Sequence, residues 1–246
     1  MLWLIRVLIR SIAVLDLLLF TLLMLLLAAL PHALIHAIYP RLFQAWCRCF
    51  VRALGVQLRL HQHAPLPAQY ILIANHPSAL EDVGIPALFK VRSLAKIEVR
   101  DWFLVGKIAI AAGTLFVRRE DKASRQAALA ELIAAVNAGD NIAIFPEGGC
   151  HGRLLAERFQ FGAFAVAFAT NTPIVPVFLH HEAQISFEWH ANESLLQKIF
   201  AIFTSPNPVV HYHVFPALYP ADFENKEIFC ETSYQHYLTW QKRYLI

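Results

Sequence analysis

The stretch best equipped for chemistry is Asn75-His76-Pro77-Ser78-Ala79-Leu80-Glu81-Asp82. It follows the apolar run Ile71-Leu72-Ile73-Ala74, so His76 stands at the mouth of a buried strand. Glu81 and Asp82 follow within about one and a half turns of a helix. A carboxylate that accepts from one imidazole nitrogen fixes the tautomer and leaves the other nitrogen free to take a proton from a hydroxyl. Ser78 lies too close to His76 in sequence for a serine-hydrolase pair, and the chain has no Gly-x-Ser-x-Gly elbow. It is expected to cap the helix instead.

Three further blocks carry reactive or binding residues: Gly113-Thr114-Leu115-Phe116-Val117-Arg118-Arg119, Ile144-Phe145-Pro146-Glu147-Gly148-Gly149 and Thr172-Pro173-Ile174-Val175-Pro176-Val177. Arg118 and Arg119 point to opposite sides if the preceding strand continues, so one of them faces a cleft. An arginine fork at a strand end suits an anionic phosphate. Glu147 sits in a Pro-Glu-Gly-Gly turn where Gly148 lets backbone amides approach a ligand. Its carboxylate would accept from an acceptor's hydroxyls or hold the arginine.

In this order the four blocks resemble the glycerolipid acyltransferases, whose bacterial type member is 1-acyl-glycerol-3-phosphate acyltransferase. That family shows N-H-x-x-x-x-D, G-x-x-F-x-x-R, F-P-E-G-T and a V-P-V strand, and the resemblance runs from about Val56 to Leu179. It implies an acyltransferase with His76 as base and with Arg119, Glu147 and Gly148 at the acceptor. Lys96 resembles the lysine of the family's K-x-E-L segment, with Glu98 as its acidic neighbour. The family's aspartate position is Glu81 here. Glutamate reaches the imidazole with a small adjustment, whereas Asp82 points roughly 100° away on a regular helix; Glu81 is preferred and Asp82 stays as the alternative. Gly149 and Cys150 replace the family's threonine and its basic or small neighbour, and Arg153 is the candidate for the missing cation. No activating partner for Cys150 is evident, so it is not expected to be a nucleophile.

These residues need elements to hold them. Short apolar runs at Val56–Leu60, Tyr70–Ala74, Thr114–Val117, Asn141–Phe145, Pro173–Leu179 and Val209–Phe215 read as strands, with helical stretches between most of them. The clearest helix runs from Lys122 to Ala138, stopped by Gly139, and Phe223 to Leu245 reads as a closing helix. The fold class expected is α/β, a mixed central sheet flanked by helices, with an N-terminal membrane-anchoring helix pair in residues 1–52 and the acyltransferase domain in 53–246.

The composition requires a surface that meets lipid: 57% of residues are hydrophobic and 16% charged, against roughly 25% charged in a typical soluble domain. Ser11 to Leu30 is almost wholly apolar, interrupted by Asp16 and Thr21, and is long enough to span a bilayer. After Pro31, Ala33 to Phe50 mixes Arg41 and Arg48 with Phe and Trp46 and suits an interfacial helix. A cleaved signal peptide is the alternative, with Arg6 and Arg10 ahead of the run, but no small-x-small site ends it. Residues 1–60 hold six arginines against Asp16, a net of +5, which leaves −2 for the rest of a chain of net +3. Basic charge beside the apolar segment points to the cytoplasmic face of the inner membrane and to anionic lipids, and away from nucleic acid.

Cys47, Cys49, Cys150 and Cys230 make neither a disulfide framework nor a zinc spacing. His180, His181, His190, His211 and His213 look like a metal set only when counted, and His211 and His213 are expected on one solvated strand face. No metal or cofactor is expected, with acyl-CoA or acyl-ACP as co-substrate. The expected activity is transfer of a fatty acyl group to the free hydroxyl of a lysophospholipid, lysophosphatidic acid first. Another lyso-lipid, a non-catalytic lipid-binding homologue and a thioesterase are the rival readings.

Overall fold

The computed structural model describes residues 2–190 and 193–245. The side chains of residues 1–7 and of His32 lie outside the described residues, Arg6 among them. Among the described residues, seven strands form one sheet: β1 (Gln57–Gln62), β2 (Ile71–Ala74), β3 (Arg92–Lys96), β4 (Leu115–Val117), β5 (Ile142–Ile144), β6 (Ile174–His181) and β7 (Val209–Val214). Their order is β1-β7-β6-β2-β5-β3-β4. Five strands from β6 to β4 run parallel, while β7 turns back antiparallel to β6 and pairs parallel with β1. The sheet is therefore mixed, with β2, the strand that leads into His76, at the centre.

Among the described residues, eleven α-helices accompany it in chain order: α1 (Leu2–Ala28), α2 (His32–Ile35), α3 (Tyr39–Ala53), α4 (Glu81–Leu88), α5 (Ile97–Arg100), α6 (Val105–Ala111), α7 (Lys122–Asn137), α8 (Gly162–Thr170), α9 (Gln184–Phe187), α10 (Leu195–Phe203) and α11 (Lys226–Tyr244). The alternation along β2 explains the layers. Leu72 and Ala74 enter a core shared with α1, α3, α4 and α6, while Ile71 and Ile73 face α7, α8 and α11. Because both faces are covered, the central strands read as unbroken apolar runs, and β2 is wholly buried.

The six strands expected from sequence are present within a few residues, and α7 and α11 match the two expected helices. Strand β3 was not expected. Its sequence Arg-Ser-Leu-Ala-Lys has only two apolar residues and every position is half-buried, so neither alternation nor an apolar run marks it.

The helix that was to lie at a membrane interface has one face in the protein. Trp46, Cys47 and Val51 of α3 are buried in the same cluster as Leu72 and Tyr212. Helix α1 docks antiparallel on α3: Trp46 Nε1 donates to Thr21 Oγ1 at 2.9 Å, Cys49 Sγ to Asp16 Oδ2 at 3.3 Å and Tyr39 Oη to the Met24 carbonyl at 3.0 Å. Arg10 reaches across to donate to the Phe203 carbonyl at 2.8 Å. Asp16 and Thr21, the polar breaks in the apolar run, thus point at α3. The opposite face of α1 leaves Leu15, Leu18, Leu19, Leu22 and Leu26 more than half exposed, and Leu8–Ala28 is long and apolar enough to cross a membrane.

Candidate active site

Strand β2 ends at Ala74, and the next side chain ties that end to the neighbouring strand. Asn75 Nδ2 donates to the Leu179 carbonyl at 2.9 Å, and the Leu179 N–H donates to Asn75 Oδ1 at 2.7 Å. Pro77 then turns the chain towards α4. His76 is held in that turn by its backbone: its N–H donates to Glu147 Oε1 at 2.7 Å, and its carbonyl accepts from the His151 N–H at 3.3 Å. The ring stacks on Phe145 with centroids 4.1 Å apart.

Glu81, the first residue of α4, is the acid that orients the ring. Its Oε2 accepts from His76 Nδ1–H at 3.1 Å, and it is fully buried. Ser78 does not precede the helix directly as a cap; Leu80 does. Instead Ser78 donates to Glu81 twice, from its N–H and from its hydroxyl, both at 2.8 Å, while its Oγ accepts from the Leu80 N–H at 3.0 Å. This is one half of a capping box, used here to aim the carboxylate. His181 Nε2 lies 3.3 Å from Glu81 Oε1 but off hydrogen-bond alignment. Burial by itself would raise the Glu81 pKa, but the imidazoles of His181 and His76 outweigh it and hold the carboxyl at about 2. Burial likewise opposes a charged His76, yet hydrogen bonds to Cys150 and Glu81 outweigh it and raise the ring well above its ordinary 6.5. Asp82 points away, as the helical rotation requires, and opens to water at the wall of an apolar cavity.

Two cavities are lined by neighbours of His76, which is itself buried and lines neither. On one side, Phe145 to Gly148 border an open cavity of about 870 Å³ whose rim carries Arg119, Lys122, Arg125 and Lys226. Arg119 donates to the Gly148 carbonyl, so Gly148, at φ +76°, presents that oxygen to the guanidinium. Arg118 is exposed. On the other side, Ala79 to Val83 border an apolar cavity of about 170 Å³ lined by Phe43, Trp46, Phe50 and Ile199.

Glu147 neither meets Arg119 directly nor presents free oxygens. It is buried and accepts from the His76 and Ala156 N–H groups, both at 2.7 Å. Burial raises its pKa against those two donors. Lys96 lines neither large cavity and pairs with Glu98 at 3.3 Å near the surface. Arg153 also lies apart from the Arg119 cavity: its Nε is 3.6 Å from Glu188 Oε1, beside Pro77 and His181. It does not supply a cation where Cys150 stands.

Three residues around the ring have partners that the sequence reading did not assign. Asn75 was legible only as part of Asn-His. His181 gave no local signal, because the sheet order alone brings β6 beside β2 and α4. Cys150 places Sγ 3.2 Å from His76 Nε2, a partner that lies 74 residues away in sequence.

The remaining histidines correct a second expectation. His213 is buried, and His61, His180, His211 and His213 stack on the sheet face covered by Tyr244. Burial first and neighbouring imidazoles second lower His180 to about 4 and His213 to about 3. One ring nitrogen each of His61, His211 and His213 lies within 4.8 Å of the others, a donor set that could hold a metal ion. Two of those rings bond directly, His61 Nε2 to His211 Nδ1 at 2.8 Å, and Glu182 takes the far nitrogen of His211 at 2.8 Å.

The sequence model of the family described as Acyltransferase matches residues 56–180, half of the chain. The chain belongs to this family. Within it, the chain is 36% identical over 133 residues to the lyso-ornithine lipid O-acyltransferase of Pseudomonas aeruginosa, covering 50% of each chain. It is 26% identical over 135 residues to the 1-acyl-sn-glycerol-3-phosphate acyltransferase of Neisseria meningitidis, covering 54% of this chain and 53% of that one. The match spans about half the length of these curated relatives. The crystal structure of the 1-acyl-sn-glycerophosphate acyltransferase PlsC from Thermotoga maritima superposes with a TM-score of 0.66 at 18% identity, over 95% of this chain and 97% of that one. That likeness shows that the chain shares its fold.

Proposed function

We propose that the protein is a membrane-bound O-acyltransferase that moves a fatty acyl group from acyl-CoA or acyl-ACP to the free hydroxyl of a lyso-lipid, with His76 as general base. The observation that carries this reading is the buried Glu81–His76 pair, 3.1 Å apart, whose neighbours in the chain and the fold line a cation-rimmed cavity and an apolar one. Glu81 holds Nδ1–H, so Nε2 accepts the hydroxyl proton. The oxygen attacks the thioester carbonyl, the C–S bond breaks, and the leaving thiol takes the proton back from the imidazolium. The apolar cavity suits an acyl chain, and the four cations suit an anionic headgroup.

The cations favour lysophosphatidic acid as acceptor. A second reading, lyso-ornithine lipid, is favoured by the more similar relative at 36% identity. Membranes carrying the protein, given labelled acyl thioester and a panel of lyso-acceptors, decide between them. Preference for lysophosphatidic acid by tenfold or more in kcat/KM, about 1.4 kcal/mol, supports the first, and the reverse preference replaces it. Thioester loss without acceptor would instead make the protein a hydrolase.

The lipid surface is met by the outer face of α1, together with Trp102 and Phe103 and with Leu196 and Phe200 of α10, all of them exposed. Lyso-acceptor and product both live in the bilayer, and drawing one into water costs about 0.8 kcal/mol per methylene. Deleting residues 1–52 would open the core around Tyr212, so the anchor is tested by substitution: Leu15→Glu with Leu22→Glu should release the chain into carbonate washes. Retention of that variant in the membrane fraction would remove α1 from the anchor. The basic residues of the first sixty support a catalytic domain on the cytoplasmic side of the inner membrane.

A further inference from the structure

At one edge of the sheet, β1, β7 and β6 gather imidazoles that acyl transfer does not use. His61 alternates along β1 and His211 and His213 along β7, while His180 lies on β6. In the register of the sheet His61 pairs with His213 and His180 with His211, so these rings share one face. They stack with interplanar angles between 0° and 13°. Within the stack, one ring nitrogen each of His61, His211 and His213 lies within 4.8 Å of the other two.

Two observations set this cluster apart from ordinary packing. His213 is only 7% exposed, and its Nε2 has no hydrogen-bond partner among the described residues, nor has the buried Nδ1 of His180. A ring nitrogen shut away from water without a partner is costly, and coordination of an ion removes that cost. The second observation is Glu182, whose Oε1 accepts from His211 Nε2–H at 2.8 Å. That bond fixes the proton on Nε2 and turns the lone pair of Nδ1 towards His61 Nε2, 2.8 Å away. A carboxylate on the outer nitrogen is the arrangement that orients a metal-ligating imidazole.

We infer that His61, His211 and His213 bind a divalent transition-metal ion of the zinc class, which pins the edge strand β1 to β7. Neutral imidazole nitrogens suit Zn²⁺, and Co²⁺ or Ni²⁺ in its place. Zinc–nitrogen bonds of about 2.0–2.1 Å put tetrahedral ligands about 3.3 Å apart, so the His61–His211 contact opens slightly as the ion enters. His61 loses the Nε2 proton that now bridges to His211 and carries one on Nδ1 instead. Each ring stays neutral, and nothing is oxidised or reduced. Because β1 is the outermost strand and His61 and His211 are only half-buried, the ion has a path in from the sheet edge. None of the three histidines borders the two cavities near His76, so the site is independent of the acyl-transfer reading.

The test uses the purified, untagged full chain in phospholipid vesicles, stripped with a chelator, incubated with zinc alone and desalted. Elemental mass spectrometry should find about one zinc per chain, and Co²⁺ in its place should give the visible absorption of a four-coordinate nitrogen site. Zinc at a hundred times its Kd should raise the melting temperature by roughly 5–10 °C. His61→Asn with His211→Asn should abolish retention, while His190→Asn, at an exposed position outside the cluster, should keep it. Zinc content in the double variant equal to the wild type overturns the site. An equal loss in His190→Asn also overturns it, because the ion is then held by scattered surface imidazoles. If the double variant does not fold, Glu182→Gln decides: zinc affinity lower by about tenfold or more supports the site, and unchanged affinity overturns it.

Discussion

Asn75 and Leu179 clasp each other through the side-chain amide of one and both backbone groups of the other, at 2.9 and 2.7 Å. The clasp extends the β2–β6 pairing beyond Ala74 and fixes the residue directly before His76. Removing it leaves a buried N–H and carbonyl without partners. Asn75→Ala should lose about 2–4 kcal/mol in urea denaturation, and kcat should fall at least tenfold because the imidazole loses its register. Unchanged kcat with the expected stability loss would mean that Glu147 and Phe145 alone hold the ring.

The choice between the two carboxylates follows from where each points. Glu81→Gln keeps the shape and removes the charge that fixes the His76 tautomer, so kcat should fall about 10²–10⁴-fold. Asp82→Asn should stay within about threefold, since Asp82 opens onto the apolar cavity instead. Steady-state kinetics of the two variants side by side settle this, and the opposite ranking would transfer the role to Asp82.

The titration of this pair sets the pH response. His76 must be neutral to accept a proton, and its pKa lies well above 6.5. The acid limb of the kcat profile should therefore have its midpoint above 6.5, with activity falling as pH drops through it. The stabilising contribution of the protonated ring runs the other way: it is present below 6.5 and lost as pH rises through the folded value. Glu81, held at about 2 from an ordinary 4.5, stabilises the fold above 4.5 and gives that contribution up as pH falls from 4.5 towards 2. A midpoint at or below 6.5 would contradict the hydrogen-bond arrangement around the ring.

Tyr212 and Gly84 make a stability prediction independent of catalysis. A Cβ on Gly84 would stand 2.0 Å from Tyr212 Oη, and Tyr212 is fully buried. Gly84→Ala must push apart α4 and β7 and should cost about 3 kcal/mol. A melting temperature lowered by roughly 6–12 °C is expected; an unchanged one would show that the phenol ring moves aside freely.

Much of this was legible in the sequence because it is local. The apolar runs of β2 and β5 and the turn chemistry of Gly148 each depend on neighbours a few residues away. Choosing Glu81 over Asp82 needed only the helical rotation. What could not be read depends on strand order. His181 reaches Glu81 because β6 lies beside β2, and Cys150 reaches His76 because β5 lies on the other side of β2. His211 and His213 were expected on a solvated face, but β7 is inside the sheet and α11 lays Tyr244 over it. Arg153 was expected to replace a missing cation, yet the chain after Cys150 carries it towards Glu188.

The most direct measurement is acceptor-dependent ester formation by His76→Ala beside the wild type, with labelled acyl thioester and lyso-lipid in the same membranes. The account predicts a loss of a thousandfold or more, consistent with removal of a base that serves each proton transfer. Ester formed at the wild-type rate by the variant would contradict it.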